Sequence, residues 1–233
     1  MDLFSNSHAR GEGWYLSLMS PNTKGANFAW LDPSRLYCSS KALSDCVKDL
    51  LKPFYNDTVD LVAGIDAMGF ILGTAIATTL GKGFLAIRKA GHLCVSTKTQ
   101  EYSDYTGKEK VIEVREDVLK PGLHVLLVDQ WIETGGTMKA AIKLVEEQGA
   151  TVVGIYREKV RPGLQALLGG CFNMAIPTLA VPDSGVAAVA IENSEGGKWI
   201  KEHYKYSHCI PEELQPQIDR QYLESFRNFS PKN

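Results

Sequence analysis

Between Val125 and Met138 the chain reads VLLVDQWIETGGTM, which joins an apolar run, an acid and a Thr-Gly-Gly-Thr turn to an amphipathic segment. Gly135 and Gly136 lack a Cβ, so the backbone from Thr134 to Thr137 can take unusual φ values and approach a ligand closely. The unpaired N–H groups of a helix start there would point outward, an arrangement suited to a phosphate. Asp129 is an acceptor-only group that can bind sugar hydroxyls or a hydrated magnesium ion. A sugar phosphate would satisfy both groups at once. Taken by itself, a strand followed by Gly-Gly and a helix is as often a plain tight turn with a capping acid.

The elements that must hold these groups can be read around them. Val125 to Val128 is the bounded apolar run of a strand buried on both faces, and Met138, Ala141, Ile142 and Val145 recur at helical spacing just after it. Further strands are expected at Leu61 to Ile65, Phe84 to Ile87, Val111 to Val114 and Val152 to Tyr156, and a short one at Trp14 to Met19. Helices are expected at Phe70 to Leu80, Met138 to Glu147, and from about Ser40 until Pro53 stops the pattern. Residues 212–226 could form a terminal helix, while EGGKWIKEHYKYSHC before it is polar and aromatic and has no clear period. The alternation predicts an α/β fold, a mostly parallel twisted sheet flanked by helices. It is read as one domain, with a hood and N-terminal helix over 1–57, an α/β core over 58–182 and a C-terminal extension over 183–233. Ligands collect beyond the carboxyl ends of such strands, where Asp66-Ala67-Met68-Gly69, Arg88-Lys89 and Asp129 to Thr137 would converge.

The longer string, with four apolar strand residues, an acid, a spacer and Thr-Gly-Gly-Thr, resembles the phosphoribosyl pyrophosphate signature of type I phosphoribosyltransferases. The resemblance leans toward the adenine phosphoribosyltransferases and runs in order from about Gly25 to Gly154, about half the chain. VDLVAGIDAMGFILGTAIATTLGKGFLAIRKAG is similar to the family's strand, pyrophosphate loop, helix and next strand, EYSDYTGKEKVIEV to its mobile catalytic loop, and GANFAWLDP to the segment that closes over the base. The resemblance implies Thr134, Gly135, Gly136 and Thr137 on the 5′-phosphate and Asp129 and Gln130 on the ribose. It places Asp66, Ala67 and Gly69 on pyrophosphate, often through a cis peptide, with Arg88 and Lys89 supplying charge. Asn27 and Phe28 fall on the base, and Asp104 serves as the acid/base group. It further implies Mg2+ with phosphoribosyl pyrophosphate as substrate, a purine base (adenine) converted to its nucleoside monophosphate in purine salvage, and a homodimer.

Three departures remove charge: the family usually has an arginine where Met68 stands, a second acid where Gln130 stands, and a lysine near His92. A charge-assisted hydrogen bond is worth about 1.5–3 kcal/mol, so loss of the arginine alone could weaken pyrophosphate binding by roughly 10- to 100-fold. The alternative function is therefore a catalytically weak or inactive nucleotide-binding regulator.

The 233 residues, 44% hydrophobic, suffice for one sizeable core, and a net charge of −2 argues against a general nucleic-acid or acidic-membrane binder. Five cysteines without a C-x-x-C pair suggest neither a disulfide framework nor a zinc site. His203 and His208 near Cys209 form no recognised metal cluster. The first residues lack a signal-peptide core, and the apolar stretch from Ile176 to Ile191 is broken by Pro177, Pro182 and Asp183. A cytoplasmic protein is expected. Gly81 to Ala86 superficially matches G-x-G-x-x-A, but it follows a helix and precedes a strand, the reverse of the dinucleotide-binding order.

Overall fold

Trp14 and Tyr15 are neighbours in sequence, yet both side chains reach the same helix, Trp14 Nε1 donating to Asp45 (3.0 Å) and the Tyr15 hydroxyl to Asp49 (2.7 Å). A strand would send them to opposite faces. The expected strand at Trp14 to Met19 is accordingly a 3₁₀ turn, Trp14–Leu18, entered from Gly13 at φ 69°. The computed structural model describes residues 13–21, 31–103, 108–152 and 185–218.

Two-residue strands β1 (Ser20–Pro21) and β2 (Leu31–Asp32) pair antiparallel ahead of α1 (Ser34–Tyr37). Helix α2 (Ser40–Leu51) is capped by Ser39, whose hydroxyl accepts from the Ala42 amide, and it gives way to a 3₁₀ turn at Lys52–Phe54, where Pro53 cannot donate. Then come β3 (Leu61–Ile65), α3 (Gly69–Leu80), β4 (Gly83–Lys89), β5 (Thr97–Ser103), β6 (Glu109–Arg115), β7 (Val125–Ile132) and α4 (Gly136–Glu146). The chain continues through β8 (Gly185–Ile191), α5 (Glu195–His203), β9 (Lys205–His208) and α6 (Gln215–Ile218).

Among the described residues seven strands make one sheet in the order β5-β6-β4-β3-β7-β8-β9. From β4 to β9 neighbours run parallel; only β6 against β4 and β5 against β6 are antiparallel. The mostly parallel sheet expected from the sequence is thus present, and the strands expected at 61–65, 84–87, 111–114 and 125–128 are all in it. Of the strand expected at Val152 to Tyr156 only Val152 is among the described residues, just after a parallel bridge of Thr151 to His124, and the helix expected over 212–226 is described only as far as α6. Residues 185–208, without a legible period in the sequence, supply two strands and a helix.

Alternate side chains of the central strands feed two cores. Val62, Leu126, Val128, Ala187 and Val189 meet α2 and α3, whereas Ala63, Leu127, Val186 and Ala188 meet α4 and Ile200 of α5. Burial on both faces is why these strands read as unbroken apolar runs. Cys46 of α2 and Cys209 after β9 lie in the first core as thiols, their sulfurs 3.6 Å apart, a pairing in space that their separation in sequence conceals. Among the described residues no helix is long and apolar enough to cross a membrane.

Candidate functional site

Strand β3 pairs with β7 only as far as Gly64↔Val128, while β7 runs on to Ile132 beside β8. Asp129 therefore does not end its strand, as expected, but lies where the neighbour on one side stops and a crevice opens. The chain leaves β3 toward β4 in one direction, and β7 lies on the other side of β3, so this is a topological switch point, the usual place for a ligand in an open α/β sheet.

Two loops meet there because α3 starts very close to the sheet. A Cβ at Gly69 would lie 2.6 Å from the Val128 carbonyl oxygen and 3.2 Å from the Asp129 Cα. Only glycine lets the end of the Asp66-Ala67-Met68-Gly69 loop rest against the strand that carries Asp129. The Asp66–Ala67 peptide is cis, and the Asp66 amide donates to the Ile87 carbonyl (2.9 Å). Arg88 Nε stands 3.7 Å from Asp66 Oδ2, and its Nη1 donates to the His92 carbonyl (3.0 Å), so Arg88 spans the base of this loop, while Lys89 is exposed.

The segment after β7 forms the second loop. Gly135 takes the left-handed conformation at φ 79° as N-cap of α4. The amides of the first turn, beginning at Gly136, receive no side-chain cap, so these donors face outward at the positive end of the helix. Gly136 owes its identity to packing as well as to any ligand: a Cβ there would lie 2.6 Å from the Ser103 carbonyl oxygen at the end of β5.

Asp129, beside Gly69, is partly covered, its Oδ1 accepting from the Gln130 amide (2.7 Å). Burial pushes its carboxyl up to about 7, with the Gln130 amide pulling the other way. Gln130 points to the opposite face, where its Oε1 accepts from the Tyr37 hydroxyl (2.8 Å). Burial, helped by Cys46 and Asp129, pushes the Tyr37 phenol upward, so it stays protonated and donates. The Gln130 amide group keeps its NH₂ as a donor, since the oxygen alone accepts from Tyr37.

Tyr37 was not legible as a site residue, because it pairs with a residue 93 positions away and belongs to no motif. Glu113 was also missed. It is buried on β6 and accepts from the amides of His92 and Leu93 (both 2.7 Å) and from the Thr97 hydroxyl (3.3 Å). Burial acts to raise its carboxyl, and the amides of Leu93, Gly91 and His92 outweigh that and hold it below the usual range. The turn beside Arg88 is thus fixed through its backbone. Asn27, Phe28 and Asp104 lie outside the described residues.

A family profile described as the phosphoribosyl transferase domain matches residues 39–157, just over half of the chain. An adenine phosphoribosyltransferase of Jannaschia sp. (strain CCS1) is 45% identical over 123 residues, covering 53% of this chain and 68% of that one. An adenine phosphoribosyltransferase of Rhodopseudomonas palustris (strain BisB18) is 35% identical over 169 residues, 71% of this chain and 77% of the relative. Among solved structures, the adenine phosphoribosyltransferase of Rhodothermus marinus DSM 4252 superposes with a TM-score of 0.62 at 26% identity, over 84% of this chain and 96% of that one. The chain belongs to the phosphoribosyltransferase family.

Proposed function

We infer that this protein transfers ribose 5-phosphate from phosphoribosyl pyrophosphate to adenine, giving AMP and pyrophosphate. The observation that carries the reading is the contact of Gly69 with Val128 and Asp129, which sets the cis-peptide loop against the strand that carries Asp129 and leads into the Thr134–Thr137 loop. The relatives' names favour the enzyme over a regulator of the same fold.

In this mechanism the first-turn amides of α4 hold the 5′-phosphate, and Asp129 with the Gln130 NH₂ takes the ribose hydroxyls. Asp66, Ala67 and Gly69, with Arg88 and Lys89, hold the pyrophosphate. Asn27 and Phe28 hold the base in line behind C1′. The bond from C1′ to the pyrophosphate oxygen breaks with its electron pair leaving on pyrophosphate, the base nitrogen bonds to C1′, and the nitrogen's proton passes to Asp104. Bound with the substrate, Mg2+ supplies charge neutralisation on the departing oxygens. Asp129 is the carboxylate that would hold it, directly or through water. A single carboxylate with oxygen donors fits an ion carried largely by the substrate's own oxygens.

The reading extends to a cytoplasmic homodimer acting in purine salvage. Free thiols exposed at Cys38 and Cys94 suit a reducing compartment, and Ile71, 40% exposed on α3 beside Phe70 and Ala75, gives an apolar face that a second copy would cover. Turnover of labelled phosphoribosyl pyrophosphate over a panel of bases tests the function. One pyrophosphate released per AMP, with adenine preferred, is expected. AMP binding without pyrophosphate release would replace the enzyme by the nucleotide-binding regulator.

A further inference from the structure

The loop from Trp131 to Lys139 is followed along one side, almost residue for residue, by the segment from Glu192 to Trp199. Trp131 Nε1 donates to Glu192 Oε1 (2.6 Å), and the Glu192 amide donates to the Ile132 carbonyl (2.9 Å). The Ser194 hydroxyl donates to the Glu133 carbonyl, and the same oxygen accepts from the Gly197 amide (3.0 Å) as the N-cap of α5. At the next step two backbones touch. A Cβ on Gly196 would overlap the Thr134 carbonyl, 2.8 Å from its carbon, and would lie 3.0 Å from the Gly135 Cα. A Cβ on Gly135 would lie 2.8 Å from the Gly196 carbonyl carbon. Beyond them the Lys139 ammonium sits 4.8 Å from the centroid of the Trp199 ring.

We propose that residues 192–199 are a positioning element for the phosphate loop, with Gly196 its central residue. This rests on the proposed phosphate-binding role of Thr134–Thr137. A peptide flip in such a loop would turn a carbonyl oxygen, with its partial negative charge, toward the phosphate. Here the carbonyls of Ile132 and Glu133 are held by donors of the 192–199 segment, and that of Thr134 is pressed against Gly196. The loop's acceptors face α5, and the amides at the start of α4 are left facing the crevice. Orienting those donors in advance avoids ordering them at the moment of binding.

The test compares AMP with adenosine, which lacks only the phosphate, by calorimetry on the full chain carrying Gly196→Ala or the milder Ser194→Ala. Gly196→Ala should weaken AMP roughly 10- to 100-fold and Ser194→Ala roughly 3- to 10-fold, with adenosine unchanged. In turnover the KM for phosphoribosyl pyrophosphate should rise and that for adenine should not. Equal AMP affinity in a folded Ser194→Ala and Gly196→Ala, or an equal loss for AMP and adenosine, would overturn the proposal and leave a merely structural contact. If Gly196→Ala fails to fold, Ser194→Ala decides alone. A parent chain that binds AMP but releases no pyrophosphate sinks the transferase reading without touching this one. A parent that does not distinguish AMP from adenosine sinks both.

Discussion

At the two loops of the crevice the atoms that the proposed function turns toward the ligand differ in kind. Around Gly135 and Gly136 they are backbone amides, fixed by the start of α4 and by contacts to Ser103 and Gly196. Around Asp66 the charge has to come from side chains, Arg88 and Lys89, and Met68 brings none. A backbone amide is not removed by substitution, except to proline, whereas a side chain is lost with one change. All three departures from the family pattern, at Met68, His92 and Gln130, change side-chain chemistry. The contrast implies a phosphate half that tolerates little alteration and a pyrophosphate half that can be tuned.

The harshest way to break this contrast is Gly136→Ala. Its Cβ would meet the Ser103 carbonyl at 2.6 Å, so either β5 or the loop must move. AMP affinity should fall by about 100-fold, or roughly 2.7 kcal/mol, while the fold persists by circular dichroism. An unchanged dissociation constant would remove the backbone cradle.

Asp129→Asn should be next, at about 10-fold. With its carboxyl pushed up to about 7 by burial, Asp129 becomes a full acceptor only as pH rises through that range. Binding of AMP to the parent should strengthen through pH 7 more than binding to the Asn variant does, since the ligand's own phosphate titration is common to both. Stability should move the opposite way. Unfolded, the group releases its proton near 3.9, so between about 4 and 7 the folded chain holds more protons and this group's contribution falls as pH rises. The Asn variant should therefore melt above the parent at pH 7.5, with the margin gone below pH 4; equal melting at both pH values would deny the burial effect.

Met68→Arg with Gln130→Asp sharpens the other half. The new guanidinium offers charge-assisted bonds worth about 1.5–3 kcal/mol, so phosphoribosyl pyrophosphate should gain roughly 10-fold over AMP in the presence of Mg2+. Equal changes for the two ligands would mean that the departures do not govern pyrophosphate. Tyr37→Phe is the smallest effect. It removes the 2.8 Å bond that orients Gln130, and ribose 5-phosphate should weaken about 3- to 10-fold while inorganic phosphate does not. A loss shared by both ligands would assign Tyr37 to the core alone.

What the sequence made legible follows from distance along the chain. The β7–loop–α4 and β3–loop–α3 units are local strings whose apolar periods and glycines survive without tertiary context. The strand TKTQEYS of β5 lies at the sheet rim with Thr99, Glu101 and Ser103 exposed, so it lacks an apolar face; TKTQ therefore suggests no element, and EYS reads only as the start of the expected mobile loop. GVAAVAI of β8 showed only as an apolar stretch; its burial comes from β7 on one side and β9 on the other, which no local pattern reports. Tyr37 with Gln130, and Gly196 with Thr134, join residues far apart in sequence. The pair Gly196-Gly197 after Ser194 did carry a signal, a capped helix start with two residues too small for a helix interior.

The rims of the sheet bear on how the chain behaves when crowded. Among the described residues β5 and β9 are outermost, and each is a poor template for another strand. Lys98 on β5 pairs with Glu116 (2.9 Å), placing opposed charges along that border. β9 is four residues long, and its Lys205 is drawn back to both oxygens of the covered Asp57 (2.7 Å each). A charged border on one side and a short one on the other resist strand addition, so concentrated solutions should stay free of fibrils and of edge-to-edge aggregates.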